Sequence, residues 1–128
     1  MIKLNQNQLK KIKIAKNILG VIKNNNPRIG GSCALFLQGK KKDFRDIDII
    51  VDSIDNISLP YMKMPLLHKK RLNRTIKYDV NGVEIDIIEC FDKDEEIIKV
   101  NNLNVSTFKN VIKYKTMVMN FLKREYNE

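Results

Sequence analysis

The sequence predicts a single mixed α/β (α+β) domain, in which helices flank one mixed β-sheet. Its 128 residues suit one compact domain, and a hydrophobic content of 43% is enough for a core. A helical pattern opens the chain, strand patterns and turns alternate through its middle, and a second long helical pattern closes it. We expect residues 1–128 to form one domain, with its chemistry carried by residues 28–90.

The first element is an amphipathic helix over about residues 6–24. Its lysines lie opposite an apolar face, and Asn24-Asn25-Asn26-Pro27 ends it. The apolar face is formed by Leu9, Ile12, Ala15, Ile18, Leu19 and Ile22.

A glycine turn connects the next elements. A very short strand, Arg28-Ile29, precedes Gly30-Gly31-Ser32, and the apolar segment 33–37 predicts a short second helix. After a charged loop over 40–45, the β-branched run Asp46-Ile47-Asp48-Ile49-Ile50-Val51 predicts a strand.

The remainder combines a hairpin with a helix. Two strand patterns flank Asn81-Gly82, which is a strong signal for a short hairpin turn. Residues 97–100 favour another small strand, and Ser106 or Thr107 then caps a final helix over about 106–126. Residues 53–70 show no clear pattern, so no element is predicted there.

The charge distribution favours phosphate-rich partners. The formal net charge is +9, and residues 1–26 hold six lysines and no acid. Such patches attract nucleotides, RNA or DNA, although an ordinary solvated surface explains them equally well. His68 is the only histidine and has no partner nearby in the sequence, so we expect a surface or loop role for it.

The two cysteines and the absence of an apolar stretch of membrane-spanning length limit the function classes. Cys33 and Cys90 lack disulfide or metal-ligand spacing and lie in apolar runs, so we expect core thiols. No stretch approaches the roughly 18 apolar residues of a membrane span, and lysines interrupt the N-terminal region where a signal peptide is apolar. We expect a cytoplasmic protein without a membrane partner.

Asp46 and Asp48 are candidate metal ligands. Side chains alternate across a strand, so both carboxylates lie on one face, where they repel each other unless a cation lies between them. Oxygen ligands on a strand suit Mg²⁺, which also takes substrate phosphates. The alternative is a solvated edge strand with two surface aspartates, and Asp-x-Asp alone favours that alternative.

The glycine turn is a candidate phosphate site. Where a strand passes into a helix, backbone N–H groups face outward, glycine permits close approach, and Ser32 can donate its hydroxyl. A plain turn with a serine cap is the alternative. Thirteen residues (33–45) separate the glycine turn from the two-carboxylate strand, and this arrangement favours the phosphate site.

Asp86 is the candidate third carboxylate. It lies between isoleucines in the second hairpin strand, where an aspartate is poorly placed without a partner. Beside the Asp46–Asp48 strand it would act as a general base on an incoming hydroxyl, and Glu84, on the same face, is the alternative. If both carboxylates face solvent, the alternative is that they form an ordinary polar outer face of the hairpin.

These three segments resemble the signature of the DNA polymerase β-like nucleotidyltransferase superfamily. In this chain it reads Ile29-Gly30-Gly31-Ser32, then Asp46-Ile47-Asp48-Ile49, then Ile85-Asp86-Ile87. The resemblance covers residues 28–90 and, loosely, the last helix, and it is more specific for the fold than for the substrate. It is most similar to minimal bacterial and phage members, which include enzymes that modify aminoglycosides or lincosamides and nucleotidyltransferases of toxin–antitoxin and abortive-infection systems.

The resemblance implies a two-metal reaction. Asp46 and Asp48 would hold two Mg²⁺ ions, with Mn²⁺ as an alternative, and the Gly30-Gly31-Ser32 turn would bind the phosphates of a nucleoside triphosphate, first of all ATP. Asp86 would ligate the catalytic metal and activate the acceptor hydroxyl, which attacks the α-phosphorus and releases pyrophosphate. The acceptor would be a small molecule, a protein or RNA.

The resemblance also implies basic contacts to the triphosphate. Lys115 falls within the apolar stripe of the last helix, where a lysine must extend to solvent or find an anion. Members of the family often direct such a lysine at the phosphates, so Lys115 is the candidate and Lys113 the alternative. Arg45 and Lys42, beside the carboxylate strand, are further candidates, although a charged loop is usually solvated. The stripe consists of Phe108, Val111, Ile112, Val118, Met119 and Leu122.

Three functions remain open at this point. The chain is an active nucleotidyltransferase, a binding module of antitoxin type with weak or absent catalysis, or a basic nucleic-acid-binding protein with incidental carboxylates. The three carboxylates favour the first over the second, and the lack of an aromatic stacking platform disfavours the third. Because one helix follows Asn104, where larger members add a helical domain, a homodimer, a partner chain or RNA would complete the site.

Overall fold

The computed structural model describes residues 3–66 and 71–126, and within them three helices surround one seven-stranded sheet. The mixed-sheet α+β domain predicted from the sequence is confirmed. The helices are α1 (Gln6–Val21), α2 (Gly31–Leu37) and α3 (Phe108–Tyr126). The strands are β1 (Arg28–Gly30), β2 (Ile47–Val51), β3 (Met62–Met64), β4 (Thr75–Val80), β5 (Val83–Glu89), β6 (Ile97–Val100) and β7 (Leu103–Ser106).

The sheet is mixed because it contains both parallel and antiparallel pairs of neighbouring strands. Its order is β3-β4-β5-β2-β1-β7-β6. β2 runs parallel to β5, and β1 runs antiparallel to β2 but parallel to β7. The two-residue turn Asn81-Gly82 has positive φ at both positions, as a type I′ hairpin requires. The predicted hairpin is therefore confirmed.

One face of the sheet carries the hydrophobic core. The side chains of Ile47, Ile49 and Val51 alternate onto this face of β2 and are fully buried. Ile85 and Ile87 do the same on β5, because the parallel register aligns them with the β2 isoleucines. α1 covers this face with the members of the core cluster Ile12, Ala15, Ile18 and Ile22. The intervening aspartates must therefore lie on the opposite face.

The first helix begins at a capping box. The backbone N–H of Gln8 donates to the Asn5 side chain at 2.8 Å, and the backbone N–H of Asn5 donates to the Gln8 side chain at 3.0 Å. α1 ends at Val21, after which residues 23–25 form a single 3₁₀ turn, so the predicted end near residue 24 is slightly late.

Two strands were not predicted. β3 lies at the sheet edge inside the segment 53–70, and its Met-Lys-Met sequence carries no strand pattern. β7 follows the predicted β6 through the turn Asn101-Asn102, where both asparagines adopt positive φ in the manner of Asn81-Gly82. Asparagine tolerates this conformation better than most residues, which is why a hairpin forms there without glycine.

Several local expectations are corrected. β2 begins at Ile47, so Asp46 lies in the bend before it. Of the two predicted caps of α3, Thr107 is the one used, since the N–H of Asn110 donates to the Thr107 hydroxyl at 3.2 Å. Cys33 is a buried core thiol as expected, whereas Cys90 is only half-buried. His68 lies outside the described residues.

The apolar stripe of α3 is only partly covered by the rest of the domain. Val111 is the buried residue of the helix among those described, while Phe108, Ile112 and Met119 are exposed. Val118 and Leu122 are half-buried, so the amphipathic pattern is correct, and the domain partly covers the stripe along most of its length. In the described part of the chain no helix has both the length and the apolar content needed to cross a membrane.

Candidate active site

Four neighbouring strands bring four residues into one row on the face opposite the core. Gly30 of β1 is paired with Asp48 of β2, Asp48 with Asp86 of β5, and Asp86 with Lys77 of β4. Residues that are paired across a sheet project to the same face. The row therefore joins the glycine turn to two carboxylates that come from separate segments of the chain.

Asp48 and Asp86 form a close carboxylate pair. Burial raises the pKa of Asp48 to about 7, with further contributions from the negative charges of Asp86 and Asp46. Burial also raises the pKa of Asp86, although the ammonium of Lys77 opposes that shift. The Oδ1 atom of Asp86 is buried and accepts no hydrogen bond from the described residues. It is therefore costly to ionise both carboxyl groups, and one of their oxygens lacks a hydrogen bond. A cation between the two groups would offset this cost.

Asp46 lies at the margin of this pair. Its side chain is 38% exposed, and Nε of Arg45 lies 3.7 Å from its Oδ2. Its charge still raises the pKa of Asp48 and of Asp86, so it contributes to the negative potential of the site. Among residues 3–66 and 71–126, no three His, Cys, Asp or Glu side chains converge closely enough to hold a metal ion together. The structure thus brings two of the three expected carboxylates together.

The glycine turn packs directly against Asp48. Gly31 has φ of +57°, and a Cβ atom at this position would collide with Oδ2 of Asp48 and lie 3.0 Å from its Cγ. A Cβ at Gly30 would lie 2.8 Å from Cγ1 of Ile50. Ser32 lies half-buried in the first turn of α2. Glycine is therefore required at position 31 both by the backbone conformation and by the carboxylate beside it.

Three cations from different elements surround the carboxylate pair. Nζ of Lys77 lies 3.2 Å from Glu84 and 3.9 Å from Asp86. Lys115 of α3 and Arg71, which precedes β4, both act to lower the pKa of Asp48. The sequence-derived candidate Lys115 thus lies within electrostatic range of the site. Nε of Arg71 is buried and has no hydrogen-bond partner among the described residues.

The other basic candidates lie further out. The Arg45 side chain is 92% exposed and forms an ion pair with Asp46. Lys42 is exposed, and its backbone carbonyl accepts a weak hydrogen bond from the Gln8 side chain at 3.4 Å. Lys113 lines a cleft next to the glycine turn.

This cleft extends from the glycine turn along α3. One wall is aromatic, with the Phe91 and Tyr114 ring centroids 5.2 Å apart. Burial raises the pKa of Tyr114 to about 12, so its phenol remains protonated near neutral pH. The other residues that line the cleft are Gly30, Gly31, Ile50, Cys90, Asp92, Glu95, Ser106, Asn110, Val111 and Lys113.

A buried arginine supports the floor of the cleft. Arg28 is fully buried and donates to Asp52 and to Glu95, each at 2.8 Å. The Ser106 hydroxyl also donates to Glu95 at 3.4 Å. Because a buried charge needs partners, this network ties the 92–96 loop to β1 and β2.

Sequence reasoning missed Lys77, Arg71 and Arg28. Lys77 had a usable signal, because counting outward from the Asn81-Gly82 turn pairs Val80 with Val83 and hence Lys77 with Asp86. Arg71 and Arg28 gave no such signal, since no local pattern places Arg71 near Asp48 and the partners of Arg28 come from the ends of distant segments.

The residues present fit a hard divalent cation. Asp48 and Asp86 offer carboxylate oxygens, one of them buried without a hydrogen bond. Mg²⁺ typically takes one or two carboxylates and fills its remaining positions with water and phosphate oxygens. Asp48 and Asp86 therefore provide as many protein carboxylates as a Mg²⁺ site of this kind needs.

Comparison with solved structures identifies a similar fold. A crystal structure of a candidate nucleotidyltransferase from Thermotoga maritima matches with a TM-score of 0.63 and 15% sequence identity. The match covers 92% of this chain and 90% of that chain. The chain has a nucleotidyltransferase-like fold. No protein-family model and no curated protein matches the sequence.

Proposed function

We propose that the protein is a divalent-metal-dependent nucleotidyltransferase. It would transfer a nucleoside monophosphate from a nucleoside triphosphate, first of all ATP, to a hydroxyl-bearing acceptor and release pyrophosphate. The observation that carries this proposal is the parallel register that sets Asp48 beside Asp86, with Gly31 packed against Asp48. The nucleotidyltransferase-like fold adds support at the level of the fold.

In this proposal each group of residues has one task. Asp48 and Asp86 hold Mg²⁺, with Asp46 at the rim as a further oxygen donor. The bound ion would supply Lewis acidity and charge neutralisation at the phosphates. The Gly30-Gly31-Ser32 turn allows the triphosphate to approach the backbone closely.

Basic residues would offset the remaining charge of the triphosphate. Arg71 and Lys115 are the candidates, because the positive charge of each acts to lower the pKa of Asp48. Nε of Arg71 is buried and has no hydrogen-bond partner within residues 3–66 and 71–126, which favours an anionic ligand at that position. Lys113, at the cleft, remains the alternative to Lys115.

The reaction would proceed by in-line displacement. The acceptor oxygen forms a bond to the α-phosphorus as the bond from that phosphorus to the bridging oxygen breaks, and pyrophosphate carries away the bond electrons. Asp86, which lies beside the attacking oxygen in this arrangement, would accept the hydroxyl proton. The cleft next to the glycine turn would accommodate an organic group of the nucleotide or of the acceptor, which would be a small molecule, a protein or RNA.

A second candidate function is a binding module with weak or absent catalysis. The exposed apolar residues of α3, namely Phe108, Ile112 and Met119, favour contact with a partner chain or a second copy. The ion pair between Arg45 and the marginal carboxylate Asp46 is also consistent with this alternative.

Turnover of labelled nucleotides separates these functions. The parent protein is incubated with each α-labelled nucleoside triphosphate, Mg²⁺ and candidate acceptors, next to Asp48→Asn and the control Asp94→Asn, which changes an exposed loop carboxylate. We expect labelled product and pyrophosphate from the parent and the control, and a loss of at least about 100-fold in Asp48→Asn. Equal turnover by Asp48→Asn would refute the proposal. Partner binding without turnover, unchanged in Asp48→Asn, would favour the binding module.

A further inference from the structure

A buried lysine lies beside Asp86 without bonding to it. The Lys77 side chain is 8% exposed, and its Nζ lies 3.9 Å from Oδ1 of Asp86. This distance is too long for a hydrogen bond, and the buried Oδ1 accepts none from the described residues. The antiparallel register of β4 and β5 fixes the proximity, because Lys77 and Asp86 are paired residues. The ammonium is thus close to the oxygen that would bind a cation, yet leaves it open.

Glu84 accounts for this separation. It lies two residues before Asp86 on the same face of β5, and its Oε2 is 3.2 Å from the Lys77 ammonium. A charge-assisted contact at this distance holds the ammonium more strongly than the longer approach to Asp86. Glu84 is also more exposed than Asp86, so water can satisfy its second oxygen.

We propose that Lys77 is a positioning residue that competes with a divalent cation for Asp86, and that Glu84 holds it partly out of the way. This inference rests on the proposed function, because it takes the Asp48–Asp86 pair as the metal site. In the metal-free protein the ammonium compensates part of the carboxylate charge. A divalent cation that binds Asp86 then meets a fixed positive charge nearby, which weakens its binding.

This arrangement would couple the cation to the nucleotide. A cation alone binds weakly against the Lys77 charge, whereas a triphosphate brings negative charge that offsets it. The cation would therefore bind to its full extent together with the nucleotide. Glu84, which was the sequence-derived alternative to Asp86, becomes the residue that sets the position of Lys77.

The inference predicts opposite effects for the two residues. Lys77→Met removes the competing charge, so Mn²⁺ should bind about tenfold more tightly. Glu84→Gln releases the ammonium toward Asp86, so Mn²⁺ should bind more weakly. In the double variant the Glu84→Gln change should alter affinity by less than about twofold, because its effect acts through Lys77.

Electron paramagnetic resonance with Mn²⁺ alone, without nucleotide, measures these affinities. Lys99→Met is the matched control, since it removes the same charge from an exposed position on β6 and should leave the affinity within about twofold of the parent. Lys77→Gln provides a second variant that keeps a hydrogen-bonding group for Glu84 and should also tighten binding. Circular dichroism confirms that each variant is folded.

The outcomes distinguish this inference from the function on which it rests. If the parent binds no Mn²⁺ even when a non-hydrolysable nucleoside triphosphate is added, or if Asp48→Asn binds Mn²⁺ as tightly as the parent does, the proposed metal site is wrong. If the parent binds Mn²⁺ through Asp48 but Lys77→Met and Lys77→Gln bind it equally or more weakly, the inference is overturned and the proposed function stands. Should both lysine variants fail to fold, an unchanged affinity in Glu84→Gln overturns it.

Discussion

At the scale of single residues, the candidate site depends on the contact between Gly31 and Asp48. Gly31 adopts the left-handed conformation, and the space that its missing side chain leaves is filled by the Asp48 carboxylate. The carboxylate is in turn buried against the turn, which contributes to its raised pKa. A phosphate near the turn and a cation on Asp48 would therefore be neighbours.

Replacing Gly31 by alanine should separate local strain from damage to the site. The left-handed conformation costs an L-residue about 1–2 kcal/mol, and the added Cβ would also displace the Asp48 carboxylate. We expect Gly31→Ala to lower the free energy of unfolding by at least that amount and to weaken Mn²⁺ binding. Urea denaturation and Mn²⁺ titration measure the two effects.

Gly39→Ala is the control for that substitution. Gly39 also has a positive φ, of +74°, but a Cβ there would meet nothing within 4 Å. This variant should lose similar backbone stability and keep its Mn²⁺ affinity. Equal Mn²⁺ affinities in the two alanine variants would show that Gly31 does not position Asp48.

At the scale of secondary-structure elements, the parallel pair of β2 and β5 creates the site. Its register aligns Asp48 with Asp86, two negative charges that burial makes costly to hold. Folding therefore favours a protonated Asp48 in the absence of a cation. A divalent cation would reverse this preference, because it binds the ionised form.

The pH dependence of stability tests this electrostatic cost. The pKa of Asp48 is raised from 3.8 to about 7 in the folded protein. A raised pKa contributes stability that is fully present below the unfolded value and is lost as the pH rises through about 7. In EDTA, the unfolding free energy of the parent relative to Asp48→Asn should fall between about pH 4 and pH 7, as measured by urea denaturation.

Two comparisons complete the pH experiment. Asp94→Asn should keep the pH dependence of the parent, and excess Mg²⁺ should raise the stability of the parent above pH 7 but not that of Asp48→Asn. A parent and an Asp48→Asn variant with the same pH dependence in EDTA would show that Asp48 is not perturbed by its surroundings.

The elements differ in how far the sequence predicts them. The Asn81-Gly82 turn fixes a local register and so determines the pairing of Lys77 with Asp86. The pairing of β2 with β5 joins segments far apart in the chain, and no local pattern specifies it. β3 gained its conformation from pairing with β4, since Met62 and Lys63 are exposed and leave no alternating pattern.

At the scale of the whole molecule, a small acidic site lies within a strongly basic protein. The net charge is +9, which would favour polyphosphate anions, while Asp48 and Asp86 form a local negative site that would suit a cation. The two faces of the sheet have separate tasks. The core on one face contains Ile47, Ile49, Ile85 and Ile87. Asp48 and Asp86 lie on the other face.

The sequence motifs identified residues that the structure brings together, but not the full arrangement of the candidate site. The signature segments identified Gly31, Asp48 and Asp86, which the structure brings together. The motif also assigned Asp46 an equal part, but β2 begins one residue later and Asp46 lies at its margin. The motif records residue spacing along the chain, whereas the bend before a strand depends on tertiary packing.

Anomalous scattering from bound Mn²⁺ would show directly whether Asp48 and Asp86 bind a cation beside the glycine turn. Crystals would be grown with Mn²⁺ and a nucleoside triphosphate analogue that cannot be cleaved between its α- and β-phosphates. We predict an anomalous peak within bonding distance of both Asp48 and Asp86, with the triphosphate beside the Gly30-Gly31-Ser32 turn. A bound nucleotide without Mn²⁺ on these two carboxylates, or Mn²⁺ bound elsewhere on the protein, would contradict the account.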